Sequence, residues 1–87
     1  MHINVPQYSE NGLSFVWEDG FSVKCSIDDN CATIEANRQG LISLARHLLE
    51  LAQEEVPQFT HFHLDEFNSL EDNSSELIFV RNDGCKV

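Results

Sequence analysis

The sequence predicts an α+β fold, in which one long helix packs on a mostly antiparallel five-stranded sheet in the order β-β-β-α-β-β. Two observations carry this prediction. Several short segments alternate apolar and polar residues with a period of two, which is typical of strands, and between positions 37 and 56 the spacing becomes helical. With 87 residues, we expect a single domain over residues 1–87, with a polar N-terminal arm at 1–12 and a frayed tail at 82–87.

Three strands are expected before the helix. Residues 13–18 alternate apolar and polar side chains, and Asp19-Gly20 is then a turn signal of the hairpin type. Residues 21–27 alternate more regularly, and this pattern places Cys25 on the apolar face. Residues 28–30 tolerate turn conformations, and Cys31–Ala36 alternates again. Two tight turns in succession predict a three-stranded antiparallel meander.

The predicted helix begins after Asn37, whose side chain can cap an unpaired backbone N–H. It should end at Val56-Pro57, because the residue before a proline is disfavoured in helical geometry. The resulting length of about 16–18 residues is within the usual range for globular proteins. The apolar stripe expected to face the sheet consists of Leu41, Leu44, Ala45, Leu48, Leu51 and Ala52.

Two further strands are expected after the helix. Residues 60–64 place Phe62 and Leu64 on one face, and residues 76–80 form an apolar fifth strand. Between them, residues 65–74 form an acidic loop in which Phe67 and Leu70 are candidate anchors.

Charge excludes several classes of function. The chain has 15 acidic and 5 basic residues, a formal net charge of −10. Nucleic acids and anionic membranes are therefore poor partners, because both select clustered Lys and Arg, whereas a basic partner would be attracted. We expect a cytoplasmic protein with free thiols, because no signal-peptide or membrane-spanning pattern is present and its 3 cysteines are irregularly spaced.

Acidic residues are concentrated in the second half of the chain. Positions 47–80 contain no Lys or Arg. They contain eight acids: Glu50, Glu54, Glu55, Asp65, Glu66, Glu71, Asp72 and Glu76. Such a run is often only a solvated face. Because uncompensated charge also destabilises a small domain through self-repulsion, a surface that receives a basic protein is the alternative explanation.

One pattern could bind a metal. His61, His63 and Asp65 are spaced two apart, so on a strand they would share one face and could ligate zinc or a related metal. The alternative is that these polar residues simply face solvent. No cysteine or serine is placed beside a histidine with an orienting third group, and no glycine-rich phosphate loop is present. We therefore expect neither an enzyme nor a cofactor.

Several segments, in order, resemble a known family. They are Ala36-Asn37-Arg38-Gln39-Gly40-Leu41, the helix through Leu51-Ala52, His61-Phe62-His63-Leu64-Asp65, Asn68-Ser69-Leu70-Glu71 and Ser75-Glu76-Leu77-Ile78. Together they resemble the small α+β proteins of the immunity protein 32 family of bacterial polymorphic toxin systems, over roughly residues 36–78. The resemblance implies a cytoplasmic protein that binds and neutralises a cognate toxin. Asn37 as a helix cap and Gly40 in close contact with the sheet would explain two shared residues structurally.

The predicted function is toxin neutralisation by occlusion, with a cognate toxin that is basic. The candidate contact residues are Glu35, His61, His63, Asp65, Glu66, Asn68, Glu71 and Asp72, on the outward sheet face or the adjoining loop. The alternatives are a metal-binding protein or metal-dependent enzyme that uses His61, His63 and Asp65, and a regulatory subunit that dimerises through an edge strand.

Overall fold

Over residues 1–84, the chain folds into one helix and two small antiparallel sheets. The structure is a computed structural model that describes residues 1–84, so part of the predicted tail, including Cys85, lies outside the described residues. The elements are β1 (Val23–Asp28), β2 (Cys31–Ala36), α1 (Arg38–Leu51), β3 (His61–Leu64) and β4 (Leu77–Val80). β1 pairs with β2, and β3 pairs with β4. The α+β class is confirmed, but the five-stranded sheet is wrong.

The β1–β2 hairpin has the register that its turn imposes. Val23 lies opposite Ala36, and Asp28 lies opposite Cys31. Asp29 and Asn30 connect the strands with φ of 46° and 65°, the left-handed geometry of a two-residue hairpin turn. Asp and Asn adopt this geometry more readily than other non-glycine residues, which explains why the sequence turns here.

The predicted first strand, residues 13–18, is irregular because its backbone bonds to helix side chains and not to a neighbouring strand. The Ser14 N–H donates to Glu50 Oε2, and the Glu18 N–H donates to Ser43 Oγ at 2.9 Å. Arg46 donates to the Val16 carbonyl at 3.2 Å. Residues 13–18 do alternate apolar and polar side chains, but helix side chains make the backbone hydrogen bonds that a partner strand would make.

The N-terminal arm is held by the same helix. Arg46 Nε donates to the Asn4 carbonyl at 2.9 Å, and Gln53 Nε2 donates to the Pro6 carbonyl at 2.8 Å. Gln53 Oε1 accepts the Tyr8 N–H at 2.8 Å. Ser43, Arg46 and Glu50 are three or four residues apart and so share one side of the helix, and Gln53 lies two residues beyond its end.

This arrangement changes which face of α1 is buried. The buried helix residues are Gly40, Ser43, Leu44, Arg46, His47, Glu50 and Leu51. Of the predicted apolar stripe, Leu44 and Leu51 are buried, whereas Leu41 and Leu48 are 56% and 42% exposed. The predicted stripe is therefore only partly right. Polar side chains beside the stripe, those of Ser43, Arg46 and Glu50, bind the N-terminal segment, so their side of the helix is buried.

The start of α1 matches the prediction. Asn37 Oδ1 accepts the Gly40 N–H at 2.8 Å, which caps the helix, and it also accepts the Ser22 N–H at 2.9 Å. Asn37 Nδ2 donates to the Gly20 carbonyl at 2.9 Å. One side chain thus fixes the helix start against the segment that enters β1. Gly40 is buried and packs closely on that segment, as expected.

The helix ends earlier than Val56-Pro57 predicts, at Leu51. Arg81 explains the difference, since its guanidinium donates to the carbonyls of Leu51, Gln53 and Val56. These carbonyls lie at or just beyond the last turn, where backbone acceptors lack helical partners.

The core joins both sheets to the helix. It consists of Val23, Cys25, Leu44, Leu51, Val56, Phe62, Leu64 and Leu70. Cys25, Phe62, Leu64 and Leu70 are inward as predicted, whereas Phe67 is 90% exposed and does not anchor its loop. Cys25 and Cys31 are free cysteines. Among the described residues, no helix combines the length and apolar character needed to cross a bilayer.

Candidate functional site

The acidic loop predicted at residues 65–74 lies along the edge of β1 that β2 leaves unpaired. The Glu71 N–H donates to the Val23 carbonyl at 2.9 Å, and the Ser75 N–H donates to the Cys25 carbonyl at 2.8 Å. Ser74 Oγ accepts the Cys25 N–H at 3.3 Å. These bonds hold the loop beside the hairpin and bring two of its acids, Glu71 and Asp72, to the same groove as Glu35 of β2.

A groove results between the loop and the hairpin. It has a volume of about 530 Å³ and is lined by Ser22, Lys24, Glu35, Ala36, Asn37, Glu71 and Asp72. We call these seven residues the acidic groove. Three of the predicted contact residues therefore come together, although Glu35 is far in the sequence from Glu71 and Asp72.

The groove has an excess of negative charge. Its lining has three carboxylates and one ammonium group, that of Lys24. Lys24 lies opposite Glu35 in the β1–β2 register, yet no ion pair joins them in the part of the chain described. Because all three acids are exposed, their charge is available to a partner.

Three other predicted contact residues stabilise the loop itself. Asp65 Oδ1 accepts the N–H groups of Phe67 and Asn68 at 2.9 and 3.1 Å. Asn68 Nδ2 donates to the His63 carbonyl at 3.1 Å, and Glu66 Oε2 accepts the Asn73 N–H at 2.9 Å. These bonds keep the loop in one shape, with Phe67 directed to solvent.

The two predicted histidines share the exposed face of β3. The ring centroids of His61 and His63 are 5.2 Å apart. His63 Nδ1 lies 2.9 Å from Glu76 Oε2, and His61 Nδ1 lies 3.1 Å from the Phe59 carbonyl. Asp65 does not complete a metal site with them, and residues 1–84 contain no group of three or more side chains able to hold a metal.

A second polar group is buried away from the groove. His47 is fully buried, with its ring edge-on to Phe15 and Trp17 at centroid distances of 5.3 and 4.4 Å. Neither of its ring nitrogens has a hydrogen-bond partner among the described residues, and the same is true of Glu50 Oε1. Burial, with a smaller effect from Arg46, lowers the pKa of His47 from 6.5 to about 4, and burial raises the pKa of Glu50.

Sequence reasoning missed Ser22, Lys24 and Asn37 as groove residues. The hairpin register could have identified Lys24, because a two-residue turn at Asp29-Asn30 places it opposite Glu35. For Asn37 the sequence predicts only the helix-capping role. No pattern in the sequence indicated that the 65–75 loop would lie along β1.

Comparison with known proteins gives a family match. The family model described as immunity protein 32 matches residues 32–82, which is more than half of the chain and includes the region of the resemblance. No curated protein and no solved structure matches the chain. The match includes all but the first residue of β2 together with α1, β3 and β4, and thus Glu35, Glu71 and Asp72 of the acidic groove. The chain belongs to the immunity protein 32 family.

Proposed function

We propose that this protein binds a cognate basic toxin in the cytoplasm and neutralises it by covering the toxin's functional surface. Membership of the immunity protein 32 family supports a role in immunity. The observation that carries the proposal of a basic partner is the acidic groove, in which Glu35, Glu71 and Asp72 converge on one side of a chain with net charge −10.

The charge has two consequences for binding. At a distance, a net charge of −10 attracts a basic protein and accelerates the encounter, more strongly at low salt. In contact, the groove can receive Lys or Arg side chains beside its carboxylates. An arginine is favoured, because its planar fork matches a carboxylate at two points.

Apolar contacts would slow dissociation of the complex. Phe67 is 90% exposed and its backbone N–H is fixed by Asp65, so the ring is presented by a braced loop. Aromatic residues of this kind often dominate binding energy at the centre of an interface. The loop thus offers a charged groove and an exposed ring a few residues apart. Occlusion of this kind uses no catalytic step and no cofactor of this chain.

The proposal is tested by capture followed by neutralisation. The untagged protein is coupled to a resin, source-cell lysate is passed over it at low and at high salt, and bound proteins are identified by mass spectrometry. We expect a basic protein that salt releases and that kills or arrests cells when produced alone. A captured protein that is acidic, or that is harmless when produced alone, would contradict the proposal.

Charge removal in the groove should weaken binding selectively. Substituting Glu35→Gln, Glu71→Gln and Asp72→Asn together is expected to reduce affinity for the basic partner by about tenfold or more, because exposed charges each contribute modestly. The salt dependence of binding should also become shallower. Isothermal titration calorimetry at several salt concentrations measures both quantities.

The matched control removes the same number of charges elsewhere. Glu10, Glu54 and Glu55 are exposed and do not line the groove, and the last two follow the C-terminal end of α1, opposite the end capped by Asn37. Their triple Gln variant should retain most of the affinity. Equal losses in the two triple variants would show that only net charge matters and that the groove is not the contact.

A further inference from the structure

β2 has a free edge. The Asn37 N–H donates to the Ser22 carbonyl at 3.1 Å, so Ser22 and Asn37 form a hydrogen-bonded pair. Because hydrogen-bonded and non-hydrogen-bonded pairs alternate along an antiparallel hairpin, this pair fixes which residues of β2 bond to β1. Thr33 and Glu35 therefore bond inward to β1, whereas Ala32 and Ile34 direct their N–H and C=O groups away from it. In the part of the chain that the structure describes, no strand pairs with that side of β2.

The opposite edge of the hairpin is covered. The 65–75 loop bonds to the outward groups of Val23 and Cys25 on β1, as described above. A two-stranded sheet by itself is only marginally stable in water. With one edge covered and the other open, the hairpin can still accept a further strand. β2 also carries neither a proline nor a lysine, the residues that commonly protect an edge strand from pairing.

The side chains along the free edge differ between the two faces. Ile27 and Ile34 share one face, where they are 62% and 42% exposed. Glu35 lies on the other face, and Asp28 and Asp29 end the hairpin. A strand added here would place alternate side chains against an apolar face and against an acidic one.

We infer that an extended segment of the basic partner adds to β2 as a third strand, with apolar residues against Ile34 and basic residues against Glu35. This rests on the proposed function for the charge of the partner. Charge complementarity selects the occupant, because β2 itself has one acid and no base. A second copy of this chain, paired through its own β2, would bring another acid and no basic residue to this edge. Backbone bonds would give affinity, and the alternating side chains would give specificity.

Residue-resolved amide exchange tests this directly. The probe is a short blocked peptide in which lysine and valine alternate, added at about 1 mM to the ¹⁵N-labelled protein, at which a Kd of about 0.1 mM slows exchange about tenfold. We expect the amides of Ala32 and Ile34 to exchange at least about tenfold more slowly, because an added strand would bond them. The counterpart peptide of glutamate and valine should have no effect. Unchanged exchange at Ala32 and Ile34 with the basic peptide would overturn the inference.

A backbone variant gives the second test. Ala32→Pro removes an N–H that makes no bond to β1, so the hairpin should keep its fold, which circular dichroism checks. It should reduce peptide binding and binding of the captured partner by about tenfold, whereas Ala32→Ser, which keeps the N–H, should bind normally. If Ala32→Pro fails to fold, Ile34→Lys places a repelling charge on the same edge and should weaken binding equally.

The outcomes separate this inference from the proposed function. A basic toxin that binds Ala32→Pro and Ile34→Lys as tightly as the original chain would overturn strand addition and leave neutralisation intact. Failure to capture any basic toxin would count against the proposed function itself. Protection of Ala32 and Ile34 in the free protein, together with a dimeric mass by sedimentation, would assign the edge to a second copy and overturn the inference.

Discussion

Replacing Gly40 by alanine is expected to destabilise the protein by about 2–3 kcal/mol, although alanine is normally the better helix former. A Cβ atom at this position would lie 2.5 Å from the Ser22 carbonyl oxygen and 2.8 Å from Val23 Cγ2. The first of these is a backbone atom and cannot rotate away. The helix would therefore have to move from the hairpin, disturbing the contact that Asn37 fixes.

Urea unfolding followed by the fluorescence of Trp17, the single tryptophan, measures the change. Leu41→Ala is the control on the next residue, because Leu41 is 56% exposed and should cost far less than a core leucine. Gly40→Ala with unchanged stability would mean that the helix does not pack as closely on the hairpin as the structure shows.

The second large effect is a loss of stability in mild acid caused by His47. The pKa of His47 is lowered from 6.5 to about 4, so the unfolded chain binds the proton more readily than the folded one. His47 therefore leaves stability intact above about pH 6.5 and reduces it progressively as the pH falls towards 4. The full loss is about 3 kcal/mol, because each pKa unit corresponds to about 1.4 kcal/mol.

Glu50 acts in the opposite direction. Burial raises the pKa of its carboxyl, so the folded state takes up that proton first and gains stability as the pH falls through the raised value. The contribution of His47 must therefore be isolated by substitution. His47→Leu has a similar volume, removes two unpartnered nitrogens and should be stable at pH 7.

Urea unfolding of both proteins between pH 4 and 8 tests this prediction. We expect the stability of His47→Leu relative to the original chain to rise by about 3 kcal/mol as the pH falls across this range. His61→Leu, which removes an exposed imidazole, controls for the loss of a histidine. A constant difference between His47→Leu and the original chain at every pH would show that His47 is not kept neutral by burial.

Local signals in the sequence predicted the parts of the fold that depend on neighbouring residues. Asn37 as a cap, the turn at Asp29-Asn30 and the alternation of Phe62 and Leu64 each follow from a few adjacent positions. The close approach of Gly40 to the sheet was expected as a structural reason for a residue shared with the immunity protein 32 family, and the structure shows it.

The parts that failed depend on contacts distant in sequence. Residues 13–18 have the alternation of a strand, but whether they pair depends on what lies beside them, and there Ser43, Arg46 and Glu50 supply the hydrogen bonds. The same polar residues turn the helix so that Leu41 and Leu48 remain exposed. A pattern of apolar residues alone could not reveal that helix side chains, and not a neighbouring strand, bond to the backbone of residues 13–18.

The sequence predicts the acidic character of the candidate site but not how its residues come together. Counting charges reveals the excess of acids, and it supports only the expectation of a basic partner and of Glu35, Glu71 and Asp72 as contact residues. Their convergence in one groove required the bonds from Glu71 and Ser75 to β1, which the sequence does not indicate. The same bonds cover the outer edge of β1, so among the described residues the open edge of the hairpin is that of β2.

Protection of growing cells tests the central claim most directly. Cells that produce the captured basic toxin are supplied with this chain, with the Glu35→Gln, Glu71→Gln, Asp72→Asn variant, or with the Glu10→Gln, Glu54→Gln, Glu55→Gln control, at equal protein levels. Neutralisation through the acidic groove predicts growth with the original chain and the control, and poor growth with the groove variant. Equal protection by all three would contradict the groove as the contact, and no protection by the original chain would contradict neutralisation itself.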